Sequence, residues 1–419
     1  MWLIKKAKVI DPSSNFHLSI KDILIKDGLI TAIEDEIANE NHQIISFENQ
    51  NISTGWMDVG VYLGEPGSEH RDTIATLNES CKLGGFTCVA TYGNEHNHID
   101  SKNSINFLGK YFEGKAIDIL PIGAITLGSN GKELTELYDL KSNGAIAFSD
   151  SNKTIQDTGL LLRALEYCKI FDGLIIQQAT DQHLAKGGQM HEGNMSTNLG
   201  LKGIPSIAEE ILLERDLKLI KYLGAKIHFG SISTKEGVEI IKRAKKEGLD
   251  VTCSVNFHHL VFTDNDLNEF DSNLKFNPPL RSKSDQKSLW DGLADGTIDY
   301  IESGHLPWDV ESKEVEFPYS AFGAIGLEII YSAVNTFGKD ILSVEQIVEK
   351  ISNKKREIYN QNLSIKVGEK ANFTIFNTNQ EWIFDENNIG SKCKNTPFIG
   401  VNLKGKVIGT FINNSFYEN

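Results

Sequence analysis

The sequence predicts an α/β chain, a (β/α)8 TIM-like barrel carrying a small β-domain built from both termini. Three observations predict it. Both ends are rich in short apolar runs separated by turn residues. The long stretch between them alternates strand-like and helix-like runs. The chain has 419 residues, 40% of them hydrophobic, which is ample for a barrel of typical length ~250 residues plus a second unit.

At the N-terminal end, Leu3–Ile10, Asp22–Ile25 and Leu29–Ile33 read as strands. Asp11-Pro12-Ser13-Ser14 ends the first. Lys26-Asp27-Gly28 joins the second to the third, and an Asp-Gly pair before a new apolar run is a hairpin signal. In the middle, Thr87–Thr91, Ala145–Phe148, Leu174–Gln177, Lys226–Phe229 and Val251–Val255 read as barrel strands. Ser206–Leu223, with Ile207, Ile211, Leu212, Leu213 and Leu217, and Lys235–Glu247, with Val238, Ile241 and Ala244, read as helices. At the C-terminal end Ala371–Phe376, Phe398–Val401 and Val407–Phe411 again read as strands. The expected boundaries are 1–54 with 364–419 for the composite β-domain, and 55–363 for the barrel. Barrel active sites sit at the C-terminal ends of the strands, so the residues just after each strand are the candidates.

Composition excludes several classes. Forty-two Lys and Arg against 57 Asp and Glu give a net charge of −15, which repels nucleic acid and anionic membranes. Cys81, Cys88, Cys168, Cys253 and Cys393 are odd in number and scattered, which fits neither a disulfide framework nor a thiolate zinc site, and fits a reducing cytoplasm. The lysines of MWLIKKAKVIDPSS interrupt its short apolar part, so no signal peptide is expected, and no apolar run approaches a membrane span.

From Thr54 to Gly67 the chain reads Thr-Gly-Trp-Met-Asp-Val-Gly-Val-Tyr-Leu-Gly-Glu-Pro-Gly. It resembles here the dihydroorotases of the multifunctional-complex type, members of the amidohydrolase superfamily, whose pattern is P-G-F-I-D-x-H-x-H-L-R-E-P-G. The likeness runs on in order through Gly84-Gly85-Phe86-Thr87, Phe148-Ser149-Asp150, Glu192-Gly193, Leu199-Gly200-Leu201, Gly203-Ile204-Pro205 and Ser233-Thr234. It ends in Asn277-Pro278-Pro279-Leu280-Arg281, Gly326-Leu327-Glu328 and Asn395-Thr396-Pro397-Phe398. Each motif alone is weak and the ordered set is strong. The resemblance implies an amidohydrolase barrel with a β-domain from both termini, zinc, and reversible cyclisation of N-carbamoyl-aspartate to dihydroorotate.

Residue by residue, the chemistry implied by that resemblance is missing. The two histidines of H-x-H correspond to Gly60 and Tyr62, and the arginine that clamps the substrate carboxylate corresponds to Gly64. Two further histidine ligands correspond to Gln178 and Ser231. The aspartate of T-D-H-A-P-H corresponds to Gly304, within Ser303-Gly304-His305-Leu306-Pro307-Trp308. Of the acidic pair in F-S-D-D-G one position survives as Asp150, a possible metal-binding remnant, and the other is Ser151. Asn94 and Asn277 match substrate-loop positions, where the bland reading is a turn-capping asparagine. His96 and His98 form an H-x-H in a loop, where exposure is commoner than metal binding. His258 and His259 match a family P-H-H-L and read as structural or near the site. Ser231 with His228 or His305 lacks the elbow and oriented acid of a serine hydrolase.

The expectation is therefore a catalytically inactive homologue with no zinc, kept as a structural or regulatory partner. Aspartate transcarbamoylase and copies of the same chain are the expected partners, with neither nucleic acid nor membrane. The rivals are an active dihydroorotase or other cyclic amidohydrolase with a rebuilt site, and a small-molecule sensor using the old pocket.

Overall fold

Asp27 and Gly28 adopt φ of +51° and +77°, the backbone that a two-residue hairpin of matching twist requires. They close strands Ile20–Lys26 and Leu29–Glu34, with Lys26 opposite Leu29. The computed structural model describes residues 1–39, 41–112 and 117–419. In its first sheet this hairpin pairs with Trp2–Val9, which runs parallel to Asn51–Thr54. That strand pairs antiparallel with Phe373–Ile383, followed by Asn402–Ile412 and Ser415–Glu418. Both termini thus build one sheet, over a core that includes Ile4, Val9, Ile23, Ile52, Phe373, Ile375 and Phe411.

The expected strand Phe398–Val401 is instead a turn, closed by the Val401 N–H on the Phe398 carbonyl at 3.0 Å. Its hydrophobicity serves another purpose: the Phe398 ring packs on Phe257 and Phe262 of the barrel, with centroids 5.6 and 5.1 Å away.

Eight parallel strands form the second sheet, in chain order around a nearly closed barrel. They are Trp56–Val61, Phe86–Thr91, Asp118–Gly123, Ala147–Phe148, Ile175–Gln178, Ile227–Gly230, Val251–Asn256 and Tyr300–Glu302. The first and eighth meet through the Tyr62 N–H on the His305 carbonyl at 3.2 Å, and through Ser303, whose N–H and hydroxyl donate to Asp58. Met57, Val59, Ala90, Ile122, Ile176 and Tyr300 are among the residues that pack the interior.

The helices around the barrel start where side chains satisfy their free N–H groups. Thr73 caps Ile74–Gly84, Thr234 caps Lys235–Lys246 and Ser282 caps Lys283–Ala294. Helix Ile207–Leu223 turns Ala208, Leu212, Leu213, Leu217 and Ile220 inward, and leaves Ile207 and Ile211 exposed. Those two isoleucines are therefore not part of its buried face, contrary to the sequence pattern. All five cysteines are buried free thiols, and among the described residues no helix is long and apolar enough to cross a membrane.

Below the strand ends lies a fully buried ion pair, Lys355 to Asp58 at 2.6 Å. Removing one partner strands the other charge, so Lys355→Met is expected to cost about 3–5 kcal/mol in urea unfolding. Lys287→Ala breaks the exposed Lys287–Asp291 pair and should cost under about 0.5 kcal/mol. Equal losses in the two variants would contradict a special role for the buried pair.

Candidate functional site

The strand ends converge on a cavity of about 200 Å³. Gly60, Tyr62, Gln178, Ser231 and Gly304 all line it, as do Ser151 and Asn277. The positions singled out along the sequence are thus neighbours in space. What stands at each is a closed contact.

Gly60 sits at a break in strand register with φ of +83°, and a β-carbon there would lie 3.1 Å from the Tyr92 ring. Gly304 has φ of +55°, and a β-carbon there would overlap the Asn256 amide. At Gly64 a β-carbon would overlap the Asp72 carbonyl, so no side chain fits where the family arginine would stand. The Tyr62 hydroxyl donates to Glu95 Oε2 at 3.1 Å, and burial pushes its pKa up to about 12, which keeps it a neutral phenol. The Arg71 guanidinium lies 3.8 Å from the Tyr62 ring centre and 3.4 Å from that of Trp308, and bonds Glu95 and the Pro307 carbonyl. Gln178 Nε2 donates to the Asn277 carbonyl at 3.1 Å, while the Asn277 residue itself is exposed.

Ser231, at φ of +52°, donates its hydroxyl to Glu302 Oε1, and Ser254 donates to Glu302 Oε2 at 2.9 Å. His228 Nε2 reaches Ser254 at 3.2 Å and its Nδ1 reaches Thr252 at 2.8 Å; its ring stacks on Tyr300. His228 therefore pairs with Ser254 rather than with Ser231. Burial raises the Glu302 pKa above the ordinary carboxylate range and lowers that of His228 to about 3.

Two sequence candidates make hydrogen bonds that the sequence alone does not reveal. Asn94 is buried outside the cavity lining; its Nδ2 donates to the carbonyls of Leu63, Gly64 and Pro66, and its Oδ1 accepts from the backbone N–H groups of His96 and Asn97. These bonds staple the loop together, the turn-capping role that asparagine commonly takes. The Asp150 carboxylate accepts the N–H groups of Ile125 and Thr126 at 2.8 and 2.9 Å and the Thr126 hydroxyl, while Ser151 lines the cavity. Of the loop pair, His96 is exposed and His98 half-buried. His258 contacts Asn256 Oδ1 at 2.8 Å and His259 the Pro278 carbonyl at 2.9 Å, so both serve the framework. His305 lines the cavity; its Nδ1 accepts the Gly326 N–H at 3.3 Å.

Sequence reasoning missed Glu302, Tyr92, Asn256 and Arg71. Glu302 left a signal, a carboxylate ending the strand Tyr300–Glu302 two residues before Gly304. Arg71 left none, since a loop arginine is ordinarily exposed.

The donor set does not fit a zinc centre. Catalytic zinc takes three protein ligands drawn from His, Asp, Glu or Cys. Among the described residues no three such side chains are grouped to hold an ion. The positions that the family resemblance matches to ligands and to the proton-handling aspartate carry two glycines, a phenol, an amide and a hydroxyl.

A nearly closed parallel barrel with its cavity at the strand ends, beside a sheet from both termini, is the architecture of the amidohydrolases. The L-hydantoinase (dihydropyrimidinase) from Arthrobacter aurescens superposes with a TM-score of 0.86 over 100% of this chain and 96% of its own, at 22% identity. The D-hydantoinase (dihydropyrimidinase) from Thermus sp. superposes at 0.82, over 99% and 95%, at 20% identity. In sequence, residues 50–237 match the Dihydro-orotase-like family. The dihydroorotase of Acetivibrio thermocellus is 39% identical over 98% of this chain and 97% of its own, and that of Syntrophus aciditrophicus 37% over 98% and 97%. This chain belongs to the dihydroorotase family.

Two predictions follow from the packing. Gly60→His and Gly304→Asp each force a side chain onto positive φ and into an occupied space. Each should destabilise the fold by at least about 1–3 kcal/mol in denaturant unfolding. A neutral effect at both positions would contradict the closed site.

The second concerns pH. Burial lowers the His228 pKa from 6.5 to about 3 in the fold, so between pH 6.5 and pH 3 the unfolded state alone binds its proton. Its stabilising contribution is complete above pH 6.5 and is lost as pH falls toward 3, at up to ~1.4 kcal/mol per pH unit. His228→Gln should remove up to one proton from that slope, measured by unfolding at several pH values. An unchanged slope would mean that His228 titrates normally in the fold.

Proposed function

We propose that this chain is a dihydroorotase homologue without metal-assisted hydrolysis, retained as a structural or regulatory component alongside pyrimidine synthesis. One observation carries the reading: the cavity presents Gly60, Tyr62, Gln178, Ser231 and Gly304 where the family resemblance implies ligands and a proton-handling aspartate. Bound metal lowers the pKa of water from roughly 15.7 to about 7, and a cyclic amide has no comparable nucleophile otherwise. The loss of the aspartate removes the general base as well. The partner we propose is aspartate transcarbamoylase, with a homodimer as the alternative assembly.

A second reading, an active dihydroorotase with a rebuilt site, is favoured by the relatives, since those at 37–39% identity carry that name. Glu302 is the cavity carboxylate that could then handle the proton. Dihydroorotate turnover and elemental analysis of the purified protein separate the two. The proposed reading expects less than one tightly bound zinc per chain and no turnover above a buffer control, with or without added zinc. Turnover that Glu302→Gln abolishes would establish the second reading instead.

A further inference from the structure

Among its described lining residues the cavity carries one carboxylate, Glu302, one histidine, His305, and no Lys or Arg. The cations nearby are committed elsewhere: Lys355 to Asp58 at 2.6 Å, and Arg71 to Glu95 and the Pro307 carbonyl. A dicarboxylate such as N-carbamoyl-aspartate would enter with no counter-charge and one like charge. We propose that the cavity binds a small organic ammonium group, a ligand class opposite in charge to the substrates the family resemblance implies. This rests on the reading that metal-assisted hydrolysis has been lost from the same site.

Three features fit that ligand. Glu302 uses one acceptor position on each oxygen for Ser231 and Ser254, and a carboxylate oxygen has two, so one on each remains for an ammonium hydrogen. Desolvation on burial, with the nearby Asp58 charge, raises the Glu302 pKa against the Ser231 and Ser254 hydrogen bonds and the Lys355 charge, and an ammonium beside it would favour its charged form. Tyr62, Tyr92, Phe276 and Phe322 also line the cavity, and aromatic faces attract cations.

The second cavity, about 620 Å³, shares Asn152, Asn277 and Phe322 with the first and carries Lys153 and Lys186 on its wall beside one carboxylate, Asp150, which is hydrogen-bonded to Ile125 and Thr126. It leaves room for an anionic tail on an amine whose head sits at Glu302. Three probes therefore distinguish the sources of the ammonium: propylammonium for a simple amine, tetramethylammonium for a quaternary one, and 4-aminobutyrate for an amine with a carboxylate tail.

The full-length protein is titrated with each probe, against sodium chloride at equal ionic strength, and the melting temperature is followed. Binding to the native state alone appears as a concentration-dependent rise. At least one ammonium probe should produce it, and N-carbamoyl-aspartate should not. The rise should shrink as pH falls and Glu302 takes up a proton. Glu302→Gln should weaken binding at least ~10-fold, the loss expected for a hydrogen bond to a charged group. Should that variant fold poorly, Phe322→Ala at the cavity rim should weaken the same probe. A rise with N-carbamoyl-aspartate alone, no rise with any ammonium probe, or equal binding by folded Glu302→Gln would each overturn the proposal. Dihydroorotate turnover is read separately. Its absence together with no ammonium binding defeats only this inference, whereas its presence defeats the reading beneath it.

Discussion

An eight-stranded parallel barrel has to bring its last strand back to its first, and here the closure runs through Asp58. Its carboxylate takes the N–H and hydroxyl of Ser303 from the eighth strand's end, and Lys355 from the helix Lys354–Ile358. Both charged groups have no exposed surface, so neither can lose its partner without a large penalty. Asp58 lies two residues before Gly60 on the same strand, and Ser303 one residue before Gly304. The contact that closes the barrel therefore also fixes the floor of the cavity. Residues above that floor can change while the barrel stays shut.

The retained motifs and the altered ones divide along that line. Glu209 accepts the N–H and hydroxyl groups of both Ser233 and Thr234, and Arg281 ties Ser233 to the Ile204 carbonyl. These residues carry backbone, and a substitution there would leave buried polar groups unpaired. At three positions where the resemblance implies a side chain, neighbours crowd a β-carbon: Tyr92 at Gly60, Asn256 at Gly304 and the Asp72 carbonyl at Gly64. Returning one side chain at a time therefore meets an occupied space.

Much of the fold was legible because it rests on local rules. The Asp27-Gly28 turn, the alternating strands and helices, and the β-rich ends all follow from turn chemistry and apolar spacing. The convergence of Gly60, Tyr62, Gln178, Ser231 and Gly304 was legible only through the family pattern. Other features depend on tertiary contacts that no local rule encodes. The apolar run at Phe398 reads as a strand because burial on Phe257 and Phe262 selects the same residue types as a sheet. Barrel strand Tyr300–Glu302 is only three residues long, and Asp118–Gly123 contains Pro121, so neither offers a clear period. The hydrogen bonds of Asn94 to loop backbone, and of Asp150 to two backbone N–H groups and the Thr126 hydroxyl, are likewise tertiary.

Among the described residues the cavity lacks the three grouped His, Asp, Glu or Cys donors that would hold a metal. Crystals soaked in zinc and measured on both sides of the zinc absorption edge test it most directly. An anomalous difference map with no peak in the cavity is the result expected. A peak about 2.0–2.3 Å from oxygen or nitrogen atoms of Tyr62, Gln178, Ser231, Glu302 or His305 would contradict it.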